Sequence, residues 1–248
     1  GLASPEYGRM ISLEVFDGQG NALSLFNRKG KDLGTSPEVC AVDYAKAILS
    51  SSAYSQAEKD LVAALLTYGG YAQKFFNVDV DAPVYNNLTD LGLTVPDISV
   101  VTADLVAHKA SQNDVQNGVS VSTFDVILDS ATSFKIYFSL AAGEDPSNYD
   151  FVLTYIEAGQ EKTKSITPTF NESNRRFCVE IEDVAAAYWD YMYKITATNV
   201  ETGESYEVST SVLAYLKLGL AKSTNETQKM LFRAMYYYNQ AANSFFGK

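Results

Sequence analysis

The sequence predicts an α+β fold in which an antiparallel β-sandwich of immunoglobulin or fibronectin type is flanked by two helical hairpins. Alternating apolar residues recur in at least five segments between 98 and 210, as in the strands of such sandwiches. Apolar residues at helical spacing fill 44–76 and 215–246, and the two segments share residues at matching positions. These observations divide the chain into 1–97, an N-terminal β-hairpin plus helical hairpin that forms a partial repeat unit, 98–210, the sandwich, and 211–248, a C-terminal helical hairpin.

Each helical segment follows a stretch that is typical of a β-hairpin. The first, "MISLEVFDGQGNALSL" at 10–25, has a Gly-rich turn, and the second, "YKITATNVETGESYEVS" at 193–209, turns at "ETGE". On this interpretation the first hairpin is the tail of a sandwich whose other strands are absent. The chain is then a piece of a longer repetitive protein, or its first unit is degenerate.

The first helical hairpin carries two start signals. Ser36-Pro37-Glu38 predicts one helix start, because Ser caps a helix, Pro fits the first turn and Glu favours the positive end of the dipole. Ser55 and Glu58 predict a capping box at the start of the second helix. The expected apolar stripe of that helix is Leu61, Leu65, Tyr68, Ala72 and Phe75, and its counterpart is Leu231, Met235, Tyr238, Ala242 and Phe245.

The two helical segments align with one gap near Ala53. The identical pairs are Tyr44/Tyr215, Lys46/Lys217, Leu49/Leu220, Ser52/Ser223, Lys59/Lys229, Leu61/Leu231, Ala64/Ala234, Tyr68/Tyr238, Ala72/Ala242, Phe75/Phe245 and Phe76/Phe246. Gly69 and Gly70 face Asn239 and Gln240 in this alignment. The glycines either admit a close backbone approach or are tolerated in a helix that tertiary contacts stabilise.

The predicted strands of the sandwich are short and alternate strictly. Their inward residues are Phe124, Val126 and Leu128; Phe134, Ile136 and Phe138; Phe151, Leu153 and Tyr155; Phe177, Val179 and Ile181; and Tyr191, Tyr193 and Ile195. The stretch 183–195, "DVAAAYWDYMYKI", resembles the tyrosine corner of such sandwiches, because a turn leads into a Tyr-led strand.

Charge and hydropathy exclude two classes of partner. A net charge of −11 opposes general electrostatic binding to nucleic acid or to anionic lipid. No apolar run approaches the roughly 18 residues of a membrane span. We therefore expect no nucleic-acid partner and no membrane insertion in this segment.

The helical repeat resembles a segment of a known family. The stretches "DYAKAIL" (43–49) and "YSQAEKDLVAALLTYGGYAQKFFNVD" (54–79) are similar to the C-terminal repeated segments of large secreted or surface proteins of gut Firmicutes. The stretch "EIEDVAAAYWDYMYKITA" (180–197) is similar to the sandwich of that family. The resemblance implies a β-sandwich plus helical hairpin in an extracellular or cell-surface protein, and it carries over no catalytic residue.

The sequence offers no chemistry-bearing motif, so we expect no catalytic residue, no cofactor and no metal, and no enzyme. Histidine-based catalysis would need His108, the single histidine, which lies in "DLVAHKAS" without a neighbouring nucleophile motif. Walker, dinucleotide and Gly-x-Ser-x-Gly motifs are absent. Glu180 and Glu182 alternate with apolar residues, which favours the solvated face of a strand over a catalytic carboxylate pair.

Two features stay open at this level. Cys40 and Cys178 fit no zinc or redox spacing and are either free thiols or a disulfide. The stretch Asn77–Asp81 begins like a calcium loop, yet Ala82 and Leu88 replace the Gly and Glu that an EF-hand requires at those positions. A polar linker is the favoured interpretation of this stretch.

The expected function is a non-catalytic structural or interaction module of an extracellular or cell-surface bacterial protein, with a spacer or adhesive role. The alternative is a carbohydrate-binding module that accompanies a carbohydrate-active enzyme. Tyr188, Trp189 and Tyr237 are the aromatic residues that the predicted inner faces leave over; they could stack on sugars, although packing in the core or between domains is the favoured role for them. The expected partner is a protein or a glycan at the cell surface, and the oligomeric state is open.

Overall fold

The computed structural model describes residues 3–129, 131–157 and 159–248. The fold is mixed α+β with antiparallel sheets, and it separates into two compact units, Ser4–Pro96 and Asp97–Lys248. None of the helices in the described part of the chain combines the length and the apolar character that crossing a membrane requires.

The unit Ser4–Pro96 joins short strands to three helices. It begins with a 3-10 turn at Ser4–Glu6. Its strands are β1 (Met10–Ser12), β2 (Leu25–Phe26), β3 (Asp32–Gly34) and β4 (Glu38–Cys40), and its helices are α1 (Ala41–Ser50), α2 (Gln56–Phe76) and α3 (Asn86–Asp90). β1 pairs with β4 and β2 pairs with β3, both antiparallel.

Two sequence predictions for this unit are wrong in detail. Residues 36–38 do not start a helix, because Glu38–Cys40 forms the strand that pairs with β1 and the helix begins at Ala41. The stretch 10–25 is not one regular β-hairpin either. Its local pairing is limited to a bridge between Phe16 and Ala22 around a turn at Asp17, and its first strand bonds to a segment far along the chain.

Helix α2 begins where its sequence predicts. The Ser55 hydroxyl accepts from the Glu58 amide at 3.3 Å, and the Glu58 carboxylate accepts from the Ser55 amide at 2.7 Å, which confirms the predicted capping box. Asn77 ends the helix in the left-handed region, at φ 57°.

The two glycines of α2 lie where other parts of the unit approach the helix closely. A Cβ at Gly69 would lie 2.6 Å from Cδ2 of Tyr7 and 3.2 Å from the Ser4 carbonyl, and one at Gly70 would lie 2.2 Å from Cδ1 of Tyr85. The glycines therefore admit the 3-10 turn and Tyr85 against the helix. The buried face is centred on these residues and on Leu66, while Leu61, Leu65 and Phe75 of the predicted stripe are only half-buried.

The apolar face of the first helical hairpin is covered by the chain that follows it. The core consists of Val42, Ala45, Leu49, Leu66, Val84 and Leu88, with Leu91 and Val95 packed against it. The buried Gln73 side chain fixes this cover, because its Oε1 accepts from the Val84 amide at 2.7 Å. A hairpin that could not bury its stripe alone is thus completed by residues 83–96.

The unit Asp97–Lys248 contains nine strands and two long helices within the described residues. The strands are β5 (Ser111–Gln112), β6 (Val119–Leu128), β7 (Thr132–Leu140), β8 (Tyr149–Glu157), β9 (Gln160–Ile166), β10 (Thr169–Asn171), β11 (Arg176–Ile181), β12 (Tyr193–Asn199) and β13 (Ser205–Thr210). The helices are α4 (Val212–Lys222) and α5 (Glu226–Phe246), and short 3-10 turns lie at Pro146–Asn148 and Ala186–Tyr188.

The strands form two antiparallel sheets whose inner faces meet through aromatic side chains. One sheet has the order β10-β11-β7-β6 and the other has the order β5-β13-β12-β8-β9. The Phe138 ring of the first sheet lies 5.5 Å from Phe151 and 6.5 Å from Tyr206 of the second, and Phe177 lies 4.9 Å from Phe151. The alternation read in the sequence therefore predicts the buried residues of β7 and β12 and most of those of β8 and β11 correctly. Tyr155, Ile181 and the predicted inward residues of β6, Phe124, Val126 and Leu128, are only half-buried, and Tyr191 precedes its strand.

Helices α4 and α5 are covered by an irregular segment at the start of the unit. Ile98, Val101 and Val106 of this segment are buried. Side chains of the two helices hold its backbone in place: Lys217 of α4 donates to the Val106 carbonyl at 2.7 Å, and Arg233 of α5 donates to the Val101 carbonyl at 3.1 Å. The first helical hairpin thus buries its apolar face with a segment that contains the short helix α3, and the second does so with irregular chain.

Candidate functional site

The candidate site is an open cleft of about 600 Å³ in the unit Asp97–Lys248. Its walls come from β8 and β9 on one side and from the end of β11 with the following connection on the other. The lining residues are Leu153, Tyr155, Ile156, Glu157, Lys164, Ile166, Glu180, Ile181, Glu182, Asp183, Val184, Tyr188, Tyr191 and Tyr193. The lining combines apolar and aromatic side chains with four carboxylates and one ammonium, which are groups that can orient a bound ligand.

The polar rim of the cleft is mostly acidic. The Glu180 carboxylate pairs with the Lys135 ammonium at 3.2 Å, so this charge is compensated. Lys164 is the cation of the lining, and its ammonium lies 5.7 Å from the centre of the Tyr155 ring. Glu157, Glu182 and Asp183 add exposed carboxylates, which leave the cleft with an excess of negative charge.

Local backbone geometry explains the turn after β11. Asp183 adopts the left-handed region, at φ 54°, which Asp tolerates better than most residues. The chain then enters the 3-10 turn Ala186–Tyr188, and the Trp189 indole fixes this connection by donating to the Val184 carbonyl at 2.9 Å. The connection is therefore held in the shape that brings Tyr188 and Tyr191 to the cleft.

Tyr188 and Tyr191 form an aromatic pair at one end of the cleft. Their ring centres lie 5.0 Å apart with the planes inclined at 59°. The Lys248 ammonium lies 3.6 Å from the centre of the Tyr188 ring and 4.5 Å from that of Tyr191, and it donates to the Ala187 carbonyl at 2.8 Å. Two ring faces and one carbonyl therefore surround a single cation.

Tyr193 lies on the floor of the cleft and is buried. Burial is the main cause that raises the pKa of its phenol to about 12, and the nearby Asp190 carboxylate contributes to the same shift. One Asp190 oxygen, Oδ2, accepts from the Asn243 amide at 3.2 Å, while Oδ1 is buried and has no hydrogen-bond partner among the described residues. A buried carboxylate oxygen next to the two tyrosines therefore lacks a hydrogen-bond donor among the described residues.

The three aromatic residues that the sequence left for sugar binding have different positions. Trp189 is 1% exposed and belongs to the core, which agrees with the packing role favoured for it and rules it out as a ring for stacking on sugars. Tyr237 is half-buried on α5 and is not part of the cleft lining. Tyr188 is 44% exposed and lines the cleft, so it alone of the three is at the candidate site.

The other residues singled out in the sequence do not converge on this cleft. His108 is half-buried in the irregular segment before β5. Both thiols are free; Cys40 donates to the Tyr7 carbonyl at 3.3 Å, and burial raises the pKa of Cys178. Glu180 and Glu182 are exposed, as the alternation of β11 predicts, yet both line the cleft.

The stretch Asn77–Asp81 lies beside a second cleft, within the unit Ser4–Pro96. Asp79 and Asp81 line this cleft together with Asp43, Gln73 and Cys40. Across the residues that the structure describes, no group of three or more His, Cys, Asp and Glu side chains is placed to hold a metal ion. Calcium binding by this stretch stays a hypothesis without a formed ligand set in the described chain.

Sequence reasoning missed the residues that complete the site. Tyr155 was assigned to the core by its alternation, although it is half-buried at the cleft, and Lys248 carries no pattern at all. The cluster Tyr188–Tyr191 was the available signal, because aromatic residues in a connection between strands need a packing partner or a ligand.

The cleft can bind by ring stacking, by cation–π contact and by hydrogen bonds from a ligand to its carboxylates. No protein-family model, no curated protein and no solved structure matches the chain.

Proposed function

We propose that the chain is a non-catalytic module of a bacterial cell-surface or secreted protein, in which it acts as a spacer or an adhesive part. The observation that carries this proposal is the sequence correspondence between 44–76 and 215–246, which we interpret as two copies of one packing unit. Units that repeat along a chain bury a shared core by stacking, and their common residues serve packing rather than chemistry.

The helices support this correspondence at their ends. α2 and α5 both have 21 residues, begin after the aligned caps Ser55 and Asn225, and end at left-handed caps, Asn77 and Gly247. The last two residues of each helix form the same edge-to-face aromatic pair, with ring centres 4.9 Å apart in both copies.

The segments in front of the helices support it as well. A 3-10 turn, an antiparallel strand pair and two helices follow one another in both units. The pairing of Ile11 with Val39 in β1 and β4 corresponds to that of Tyr193 with Thr210 in β12 and β13. The copies differ mainly between the paired strands, where 13–37 is longer than its counterpart.

One aligned position links the 3-10 turn to the long helix in both copies. Gly69 faces the Ser4 carbonyl of the first turn, and Asn239 donates from its amide to the Ala186 carbonyl of the second at 2.7 Å. The first turn approaches the helix directly because Gly69 has no side chain, whereas the Asn239 amide fills the corresponding gap and bonds to the second turn. The contact between turn and helix is thus present in both copies and is made by different residues.

The strand order supports an immunoglobulin-like assignment for the two sheets. Taking β6 to β13 as strands A, B, C, C′, D, E, F and G, the first sheet has the order A-B-E-D and the second has C′-C-F-G. This is the arrangement of constant-type immunoglobulin domains with a C′ strand added. The short strand β5 extends the second sheet beyond strand G.

The first copy supports an interaction role, because its strand pair lacks the neighbours of the second. β12 also pairs with β8, and β13 also pairs with β5, whereas β1 and β4 form a two-stranded sheet. Exposed apolar side chains follow this pair and its long connection: Met10, Ile11, Leu13, Val15, Phe16, Leu23, Phe26, Leu33 and Val39. We propose that a sandwich like that of 119–181 covers this surface in the assembled protein.

The extracellular placement is supported by the resemblance of 43–79 and 180–197 to large secreted proteins of gut Firmicutes. Protease treatment of intact cells of the source bacterium tests it. We expect peptides of this chain to be released before those of a cytoplasmic marker. Simultaneous release of both, or turnover by the purified chain on a panel of glycosides, esters and peptides, would contradict the proposal.

A second candidate is carbohydrate binding, and the cleft favours it. Tyr188 and Tyr155 offer rings, and Glu157, Glu182 and Asp183 offer acceptors for sugar hydroxyls. A glycan array with the wild-type chain and with Tyr188→Ala tests this candidate. Binding that the variant loses supports it, with Tyr237→Ala as the matched control outside the cleft.

A further inference from the structure

We propose that Tyr188, Tyr191 and the carbonyl of Ala187 form a binding site for the side chain of a lysine on a protein partner, and that Lys248 of the chain itself occupies this site as an internal ligand.

The geometry of the Lys248 contact is that of a recognition site for an alkylammonium. The ammonium lies over both rings, at 3.6 Å and 4.5 Å from their centres, within the roughly 6 Å over which a ring face attracts a cation. The Ala187 carbonyl accepts one ammonium proton at 2.8 Å. Three separate groups therefore recognise one charged head.

The surroundings favour a cation over a neutral ligand. Asp190 lies between the two tyrosines in the chain, and its Oδ1 is buried without a hydrogen-bond partner among the described residues. Glu182 and Asp183 of the adjoining cleft wall add negative charge, and no cation of the lining other than Lys164 opposes them. This potential attracts an ammonium and gives no advantage to an uncharged sugar.

Lys248 is held near the rings by the helix in front of it. Gly247 ends α5 in the left-handed region, and α5 is fixed to the connection by the bonds from Asn239 to Ala186 and from Asn243 to Asp190. The tether gives the Lys248 ammonium a local concentration of about millimolar or more. An external lysine must displace it, so Lys248 sets a threshold for binding.

The rings do not depend on Lys248 for their position. Tyr188 and Tyr191 belong to the connection that Trp189 fixes through its bond to Val184, and the Tyr191 amide donates to the Tyr188 carbonyl at 3.0 Å. Removing the Lys248 charge therefore leaves the two ring faces and the Ala187 carbonyl in place.

The test titrates the full chain with Nα-acetyl-lysine amide, and with Nα-acetyl-norleucine amide as the neutral counterpart, while tyrosine ring signals are followed by NMR. We expect Lys248→Met to bind the lysine probe about tenfold more tightly than the wild type does, since the internal competitor is gone. Tyr188→Leu and Tyr191→Leu, each combined with Lys248→Met, should abolish binding. Lys109→Met, which removes an exposed charge elsewhere, should behave as the wild type.

Three results would overturn the proposal. They are absence of binding by a folded Lys248→Met chain, equal binding of the neutral probe, and equal affinities of Lys248→Met and the wild type. Amide spectra that match the wild type establish the folding of each variant. Since the probes carry no sugar and the site needs no second repeat, failure here is independent of the spacer and glycan proposals.

Discussion

The side chain of Asn239 and the carbonyl of Ala186 join helix α5 to the 3-10 turn in front of β12. The Asn239 amide donates at 2.7 Å, and its Oδ1 accepts from Gln240 at 3.0 Å, so both ends of a fully buried amide are satisfied. A buried polar group that is satisfied in this way fixes position more than it adds energy. The bond therefore determines where the turn, and with it the tyrosine pair, lies against the helix.

Replacing Asn239 by Ala should destabilise the unit Asp97–Lys248. The Ala186 carbonyl would keep only the longer bond from the Trp189 amide, at 3.3 Å, and losing one buried hydrogen bond costs about 0.5–1.5 kcal/mol. Chemical denaturation of Asn239→Ala measures this loss, with the exposed Asn174→Ala as control. Equal midpoints for the two variants would show that the amide contributes nothing.

Replacing Gly69 by Ala should destabilise the unit Ser4–Pro96, although alanine is the better helix former. Helix propensity alone would stabilise by about 1 kcal/mol. The new Cβ would lie 2.6 Å from Tyr7 and 3.2 Å from the Ser4 backbone, and overpacking costs about 1–3 kcal/mol. Gly70→Ala should lose at least as much stability, because its new Cβ would lie 2.2 Å from Cδ1 and 2.9 Å from Cγ of Tyr85, an atom close to that residue's backbone.

The sign of the Gly69→Ala change, measured by thermal unfolding, distinguishes the two explanations. Destabilisation supports close approach, whereas a raised melting temperature would mean that the glycine is merely tolerated.

The sequence predicts most of the regular structure because its signals are local. Alternation in Phe134–Phe138 and in Phe177–Ile181 corresponds to β7 and β11, and the Ser55–Glu58 capping box lies where it was expected. Each of these patterns is set by the period of one element. They need no knowledge of the rest of the chain.

Long-range pairing is where prediction fails. Ser36-Pro37-Glu38 carries every local mark of a helix start, yet Glu38 pairs with Ser12 across a long connection. The cleft could not be predicted from the sequence for the same reason. Lys164 lies on β9, whereas Asp183 and Tyr188 follow β11 of the other sheet, and only the folding of two sheets brings them to one surface.

The phenol of Tyr193 should make stability depend on alkaline pH. Its pKa is about 12 in the folded chain, above an ordinary value of 10. The stabilisation by the neutral phenol is therefore complete below pH 10 and is lost as pH rises through 12. A two-unit difference corresponds to roughly 2–3 kcal/mol.

Comparison of Tyr193→Phe with the wild type isolates this contribution, because phenylalanine cannot ionise. The variant should resemble the wild type at neutral pH and should unfold at higher pH in an alkaline titration followed by circular dichroism. Tyr188→Phe, in an exposed ring, serves as control. Identical alkaline midpoints for Tyr193→Phe and the wild type would refute the assignment.

Truncation of the aligned tyrosines should separate packing from surface chemistry. Tyr68 is 3% exposed, so Tyr68→Ala should cost about 3–5 kcal/mol in its own unit. Tyr238 is half-buried and meets Trp189 edge to face at 5.8 Å, so Tyr238→Ala should cost less, about 2–3 kcal/mol. Denaturation curves beside Tyr237→Ala give the comparison, and an equal small loss for all three would mean that the repeat is not a packing unit.

The exposed apolar residues of the first unit should affect association and leave stability unchanged. Phe26 is 61% exposed and Phe16 is 55% exposed, so their replacement removes little buried area. Phe16→Ser with Phe26→Ser should therefore change the free energy of unfolding by no more than about 0.5 kcal/mol. If this surface is a contact face, the double substitution should lower self-association at high concentration, as measured by sedimentation velocity.

The control is Phe246→Ser, which replaces an equally exposed phenylalanine at the end of α5. If wild type and double variant sediment alike while Phe246→Ser dissociates, the contact face lies on the C-terminal helices, and the strand pair is not where a neighbouring sandwich would pack.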